Sequence, residues 1–162
     1  QPAHTRAHRR LTTHMALEPA VLAAGDTFIV RDLLQGEDAG ITIDDVLAEV
    51  PLGPLFHENG RVLNRPGAFV AAPVEGSGPA TKPYLRCPSS VGVVPRDEGL
   101  VMRKLRLAAS RAAGVAFNHA KVQLYETRGN RIEFHADKVL DLCEDDAFVS
   151  FRLGATLVFS LR

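Results

Sequence analysis

The chain has 162 residues, of which 46% are apolar and 23% are charged, as expected for one globular domain with its own core. Its two cysteines are too few for a disulfide scaffold or a thiolate zinc site, and no apolar run approaches the roughly 18 residues that span a bilayer, so we expect no membrane association. The net charge is zero, but residues 58–131 carry twelve basic and only five acidic side chains.

The chain opens with a basic segment. Its first sixteen residues contain three arginines, three histidines and no acid. We predict a disordered tail over residues 1–25 and a folded domain over residues 26–162. A basic arm or the remnant of a mitochondrial transit peptide are the alternatives. We expect a monomeric intracellular protein in the nucleus or cytoplasm. If the N-terminus is a transit peptide, the expected compartment is the mitochondrion.

Two helices are predicted from local signals. The residues Thr-Ile-Asp-Asp from Thr42 are typical of a capping box, and the helix that they open should end at Pro51. Asp97 can cap a second helix that runs to Gly114. The buried stripe of this second helix is predicted to contain Val101, Leu105, Ala108 and Ala112.

Beyond Gly114 the pattern changes to the two-residue alternation of strands. Residues 115–125 and 131–137 alternate in this way, with a turn between them at 127–130. Two apolar runs follow, at 147–153 and 156–161. Short strands at this spacing predict an antiparallel barrel or jelly roll, so the expected fold class is mainly β with flanking helices (α+β).

The tripeptide His135-Ala136-Asp137 is the candidate for chemistry. In a strand, residues i and i+2 project to the same side, so the imidazole and the carboxylate would converge. This pair supplies two of the three ligands in the facial triad that holds non-haem Fe(II). Alone the tripeptide is a weak signal, because it also arises by chance.

The sequence around the tripeptide resembles the AlkB-like family of Fe(II)/2-oxoglutarate dioxygenases, in its eukaryotic, fungal-type branch. The similarity lies mainly between Phe117 and Arg162, where an asparagine and a tyrosine precede I-x-x-H-x-D, L-G-A and F-x-L-R. The matching positions are Asn118, Tyr125, Ile132, His135, Asp137, Leu153, Gly154, Ala155, Phe159, Leu161 and Arg162. More loosely, Arg65 and the segment from Tyr84 to Pro88 resemble upstream motifs of that branch.

The resemblance implies a double-stranded β-helix (jelly-roll) core, incomplete at the C-terminus, that binds Fe(II) through His135 and Asp137. The co-substrates would be 2-oxoglutarate and O2, with Gln123 and Tyr125 at the 2-oxoglutarate. The implied reaction is the oxidative dealkylation of N-alkylated bases in nucleic acid. The residues expected at this substrate are Arg65, Tyr84 and Arg86. The candidates for phosphate contacts are Arg61, Arg65, Lys82 and Arg86, and those for base stacking are Phe69, Tyr84 and His119.

The sequence also departs from the family pattern. Gln123 replaces an asparagine, and Arg152 replaces a small serine. The family's third iron ligand and the arginine that holds 2-oxoglutarate lie on later strands, and no histidine follows His135. We therefore expect this chain alone to be inactive, as a fragment or incomplete gene model. The alternatives are a degenerate, non-catalytic jelly-roll domain, a cupin-like binder, or a dioxygenase acting on proteins or small molecules.

Overall fold

The computed structural model describes residues 17–22, 27–57, 59–72, 96–135, 147–156, 158 and 160. Within these ranges the fold is mixed α/β, with a sheet of several strands and two α-helices. Neither of these helices is long and apolar enough to cross a bilayer.

The first element is an antiparallel hairpin formed by β1 (Leu17–Leu22) and β2 (Thr27–Val30). Leu17 pairs with Val30 in its register. Strand β1 lies inside the segment 1–25 that was predicted to be a tail, and residues 1–16 lie outside the described ranges.

A short 3-10 helix (Gly36–Gly40) precedes α1 (Ile43–Glu49). The predicted capping box at Thr42 is confirmed: its hydroxyl accepts from the backbone N–H of Asp45, and the Asp45 carboxylate accepts from the backbone N–H of Thr42 at 2.8 Å. These two contacts satisfy N–H groups that a helix start leaves unpaired.

The sheet is organised around β4 (Val62–Ala71), which pairs with three other strands. They are β3 (Gly53–Phe56), β5 (Arg96–Asp97) and β6 (His119–Gln123). Strands β3 and β6 are antiparallel to β4, whereas the two residues of β5 run parallel to it. Because Gly67 pairs with both Gly53 and Gln123, β3 and β6 occupy opposite edges of β4.

Gly67 lies where the three antiparallel strands come together. A β-carbon at this position would lie 2.6 Å from Leu55 Cδ1 and would collide with the carbonyl oxygen of Val122. A glycine is therefore required for β3 and β6 to pair with β4 at the same point.

Helix α2 (Leu100–Ala113) begins later than predicted. Asp97 belongs to β5, and Gly99 takes the N-cap position without a side-chain hydrogen bond. The helix ends as expected at Gly114, whose φ of 66° is left-handed. The predicted stripe is correct at Leu105 and Ala108, but Val101 and Ala112 are only half-buried. The buried residues of α2 are Met102, Leu105, Ala108 and Ala109.

The main core lies between the two helices and the sheet. Its buried residues are Val46, Val50, Ala68, Val70, Met102 and Leu105. Phe151 and Leu153 pack against this core from the C-terminal part of the chain. A second, smaller cluster joins Leu55 and Phe69 across β3 and β4.

The predicted C-terminal strands are only partly present. Strand β6 covers residues 119–123 of the predicted 115–125, whereas residues 131–135 and 147–156 have no strand structure. Alternation alone does not make a strand, because the backbone groups need a neighbouring strand to bond with. Within the described part of the chain, residues 131–135 and 147–153 pair with none of the strands β3 to β6. The strand predictions for 131–135 and 147–153 were therefore wrong within the described ranges.

Candidate functional site

Arg65 is the buried charged residue of the described part of the chain, with 6% of its surface exposed. It lies on β4, and its Nη1 donates to the Asn64 side-chain oxygen at 3.2 Å and to the Arg131 carbonyl oxygen at 3.0 Å. A buried guanidinium must have its donors satisfied, and both of these acceptors are uncharged. Arg65 therefore joins the sheet to the segment that follows β6.

The side-chain amide of Gln123 also faces this guanidinium. A guanidinium can only donate hydrogen bonds, so the amide oxygen must be the atom that points toward it. In this orientation the oxygen accepts from Arg65 Nε at 2.7 Å and from Nη2 at 3.1 Å. Two donors of one guanidinium thus converge on a single amide oxygen.

Tyr125 completes the cluster on the same side of the sheet. The Arg65 Cζ lies 5.7 Å from the centre of the Tyr125 ring, within the range of a cation–π contact. The register explains this contact: Gly67 pairs with Gln123, and the Leu124 N–H donates to the Pro66 carbonyl at 3.0 Å. If this antiparallel register is continued by two residues beyond β6, Tyr125 lies opposite Arg65.

The turn after Tyr125 is bonded to β4 through two asparagines. The Asn130 side-chain oxygen accepts from the N–H groups of Glu126 and Thr127 at 2.8 and 2.9 Å, which closes the predicted turn at 127–130. Asn64 Nδ2 donates to the Gly129 carbonyl at 2.9 Å, and Asn130 Nδ2 donates to the Asn64 carbonyl. The contacts of Asn64 with this turn could not be predicted from the sequence, because Gly129 and Asn130 are about 65 positions away in the chain.

The cluster of Arg65, Gln123 and Tyr125 is electropositive. In the described part of the chain, no acidic side chain forms an ion pair with Arg65, and its hydrogen-bond acceptors are all amide or peptide oxygens. A positive charge whose partners are neutral attracts an anion more strongly inside a protein than in bulk water, because the effective dielectric constant is lower. The arrangement favours a ligand that carries negative charge.

His135 lies in the exposed, irregular segment after the turn. Its Nδ1 is 2.8 Å from the Glu133 carbonyl oxygen, and since a carbonyl can only accept, Nδ1 carries the proton. His135 does not lie on the strand that was predicted to align it with Asp137.

The other predicted site residues divide into two groups. Asp137, Tyr84, Arg86 and Lys82 lie outside the described residues. Phe69 is buried in the core, and His119 Nδ1 lies 3.1 Å from Asn118 Oδ1. The ranges that the structure covers contain no group of three or more histidine, cysteine or acidic side chains that could hold a metal.

Two of the four basic side chains of α2 are paired with acids. Arg106 binds Glu98 through Nε at 2.7 Å and Nη2 at 2.6 Å, and Lys104 binds Asp38 at 3.0 Å. The hydrogen bonds to Glu98 raise the pKa of Arg106 above its ordinary value. Arg103 on the same helix is exposed. The surface of α2 is therefore less positive than the excess of basic side chains in residues 58–131 indicates.

Comparisons of the chain with protein-family models, with curated proteins and with solved structures find no match. Function is therefore inferred from the residues themselves. The basis is the set of motifs around His135, together with the contacts that Arg65 makes with Gln123 and Tyr125.

Proposed function

We propose that the chain is a jelly-roll domain of an Fe(II)- and 2-oxoglutarate-dependent dioxygenase that removes alkyl groups from nucleic-acid bases. One observation carries this proposal. Gln123 and Tyr125, the positions at which the family resemblance places 2-oxoglutarate, lie together beside the buried guanidinium of Arg65. This arrangement supports the proposal, because it brings the two residues that the family resemblance assigns to 2-oxoglutarate beside one positive charge.

The cluster suits a dicarboxylate such as 2-oxoglutarate. The Tyr125 hydroxyl and the amide nitrogen of Gln123 are groups that can donate a hydrogen bond to a carboxylate. Both donors lie near a positive charge that no described acidic side chain neutralises. Hydrogen bonds to a carboxylate are stronger than those between neutral groups.

His135 and Asp137 would hold the iron. An imidazole and a carboxylate are donors suited to Fe(II). When bound, the iron and 2-oxoglutarate together supply the oxidising chemistry, whereas the protein binds and orients the reactants.

Mn(II) binding to the full chain tests the proposed metal site, since Mn(II) accepts the same ligands and is detected by electron paramagnetic resonance. We expect binding to be lost in His135→Ala and in Asp137→Ala. His119→Ala is the matched control, because His119 lies on β6 with its Nδ1 3.1 Å from Asn118 Oδ1. Absence of Mn(II) binding, or equal binding by His135→Ala and the unaltered chain, would overturn the proposal.

Titration with 2-oxoglutarate in the presence of Mn(II) tests the second part. We expect weaker binding in Tyr125→Phe and Gln123→Leu, each of which removes one donor. Mn(II) binding that 2-oxoglutarate does not change would instead indicate a cupin-like or degenerate domain that binds metal without using this co-substrate.

A further inference from the structure

The loop between β3 and β4 contains the only Asn-Gly pair of the sequence, Asn59-Gly60. Both residues are exposed, as are His57 and Arg61 beside them. Gly60 has a φ of 80°, a left-handed conformation that favours glycine. The turn itself therefore requires a residue without a β-carbon directly after Asn59, which leaves the backbone nitrogen of that residue open beside the asparagine side chain.

We propose that Asn59 is a site of spontaneous deamidation. The Gly60 backbone nitrogen, after losing its proton to water, attacks Cγ of Asn59 and closes a five-membered succinimide ring. The bond between Cγ and Nδ2 breaks, and Nδ2 leaves as ammonia with a proton from water. A water molecule then opens the ring at one of its two carbonyls, which gives aspartate or isoaspartate. The reaction consumes water alone and needs no oxidant or reductant.

The contacts of the Asn59 side chain favour this attack. Its Oδ1 accepts from the Arg61 backbone N–H at 3.1 Å, which folds the side chain over the peptide that joins Asn59 to Gly60. Oδ1 is the atom that gains negative charge when the nitrogen adds to Cγ, and a donor placed at such an atom lowers the barrier. Among the described residues, none accepts a hydrogen bond from Nδ2, the leaving group.

One hydrogen bond opposes the reaction. The Gly60 N–H donates to the His57 carbonyl at 2.8 Å, and this bond must open before the nitrogen can attack. Water can replace the carbonyl as acceptor because the loop is exposed, so the bond slows the reaction by about tenfold at most. The turn therefore delays deamidation without preventing it.

The other three asparagines have less favourable surroundings. Each is followed by a residue with a long or ring-shaped side chain, which hinders the attacking nitrogen. The Nδ2 atoms of Asn64 and Asn130 also donate to carbonyl oxygens across the turn that follows β6. Asn118 is joined to His119 on β6, whose backbone pairs with Ala71 of β4. We therefore expect Asn59 to react first.

Deamidation would add a negative charge two positions before Arg61. The consequence for nucleic acid rests on the proposed function, in which Arg61 is a candidate for a phosphate contact. A carboxylate there offsets the charge of Arg61 and repels phosphate. Binding of single strands should therefore weaken as the protein ages.

Incubation of the full, folded chain at mildly alkaline pH, followed by peptide mapping with mass spectrometry, tests the modification. We expect aspartate and isoaspartate to accumulate at position 59 before any change at Asn64, Asn118 or Asn130, and faster as the pH is raised. The proposal is overturned if Asn59 stays intact, or if all four asparagines convert at the same rate.

Two variants test the mechanism. Gly60→Ala should slow the formation of the acidic form, which ion-exchange chromatography separates from the unaltered chain. If the left-handed φ prevents this variant from folding, as judged by its thermal transition, Asn59→Gln takes its place. It keeps a neutral amide in the loop but must close a larger ring, so the acidic form should accumulate more slowly. An unchanged rate in the folded variant would contradict the proposed chemistry.

Binding of a labelled oligonucleotide tests the consequence. We expect Asn59→Asp to bind more weakly than Asn59→Gln at low salt, and this difference should shrink at high salt. Equal binding by the two variants would contradict the effect of the added charge. If the unaltered chain does not bind the oligonucleotide, the nucleic-acid part of the proposed function fails, while peptide mapping still decides whether Asn59 deamidates.

Discussion

The carboxylate of Glu49 occupies the space that a side chain at Gly99 would fill. A β-carbon at Gly99 would lie 2.7 Å from the Cγ of Glu49 and 2.5 Å from its Oε2. The same carboxylate accepts from the backbone N–H groups of Val101 and Met102 at 2.7 and 2.9 Å. The last residue of α1 therefore caps the start of α2, which has no capping side chain of its own.

This relationship predicts that Glu49→Ala lowers the free energy of unfolding by about 1–2 kcal/mol, the range for loss of a helix cap. Gly99→Ala should displace the carboxylate and have a similar effect. The double variant should be no less stable than Glu49→Ala alone, because the cap can be lost only once. Urea denaturation measures these values.

Glu126→Ala is the control for this series, since its side chain is exposed and its recorded contact is through the backbone N–H. We expect a change within about 0.5 kcal/mol. Additive destabilisation by Glu49→Ala and Gly99→Ala would contradict the capping interpretation.

The ion pair between Arg106 and Glu98 supports the junction of β5, α2 and the segment before β6. The Glu98 side chain is 5% exposed, and Arg106 Nη1 also donates to the Phe117 carbonyl at 3.2 Å. Arg106→Met would leave the Glu98 carboxylate buried without its cation, so we expect a loss of about 3 kcal/mol. Thermal or urea unfolding measures this loss.

A double variant separates the ion pair from the packing of the side chains. Arg106→Met/Glu98→Met removes both charges, and it should recover part of the stability lost in Arg106→Met. Arg103→Met, an exposed position on the same helix, should have little effect. The interpretation fails if the double variant is less stable than Arg106→Met.

Asp45 predicts a dependence of stability on acid pH. Hydrogen bonds from the side chain and then the backbone of Thr42 lower the pKa of Asp45 below its ordinary value of 3.8. A lowered pKa in the folded state stabilises the protein above the unfolded pKa, and this contribution is lost as the pH falls through the folded value. Asp45→Ala should therefore be less stable than the unaltered chain near pH 7.

The difference between Asp45→Ala and the unaltered chain should disappear as the pH is lowered below 3.8. Thermal unfolding at a series of pH values measures it. Asp44→Ala is a matched control one position earlier on α1, because Asp44 is also an exposed acid in the first turn but takes no part in the capping box. A stability difference for Asp45→Ala that stays constant down to strongly acid pH would contradict the prediction.

Local sequence patterns were sufficient to predict where α1 begins, but not where α2 begins. The capping box at Thr42 involves residues three apart, and such a pattern can be identified from the sequence. The cap of α2 comes from Glu49, which is 52 positions before Val101. Asp97 had the right residue type for a cap, but pairing with β4 placed it in β5 instead.

In the candidate site, too, local patterns predicted single residues but not the contacts between distant parts of the chain. The sequence motifs identified Gln123 and Tyr125, and they identified Arg65 separately as a substrate contact. The meeting of the three depends on the register between β4 and β6, which no local pattern specifies. Arg65 is buried and bonded to protein atoms, so its guanidinium does not lie at an exposed surface where a phosphate contact was expected.

The final prediction concerns nucleic acid, the expected substrate. Arg61 and Arg128 are exposed in the segments that border β4, whereas Arg65 on β4 is buried. If the chain binds single strands through phosphates, affinity should fall with salt, and the log–log slope should change by about 0.7 for each contact removed. We expect Arg61→Ala and Arg128→Ala to weaken binding equally across sequences and to flatten this slope.

Fluorescence anisotropy with a labelled oligonucleotide at several salt concentrations measures the slope. Arg111→Ala is the matched control, because Arg111 is an exposed arginine in the last turn of α2, away from these loops in sequence. It should leave the slope unchanged if binding is confined to the loops that border β4. Equal flattening by all three variants would indicate attraction by overall charge alone. Absence of binding at low salt in the Mn(II)-loaded chain would contradict the nucleic-acid prediction and favour a protein or small-molecule substrate.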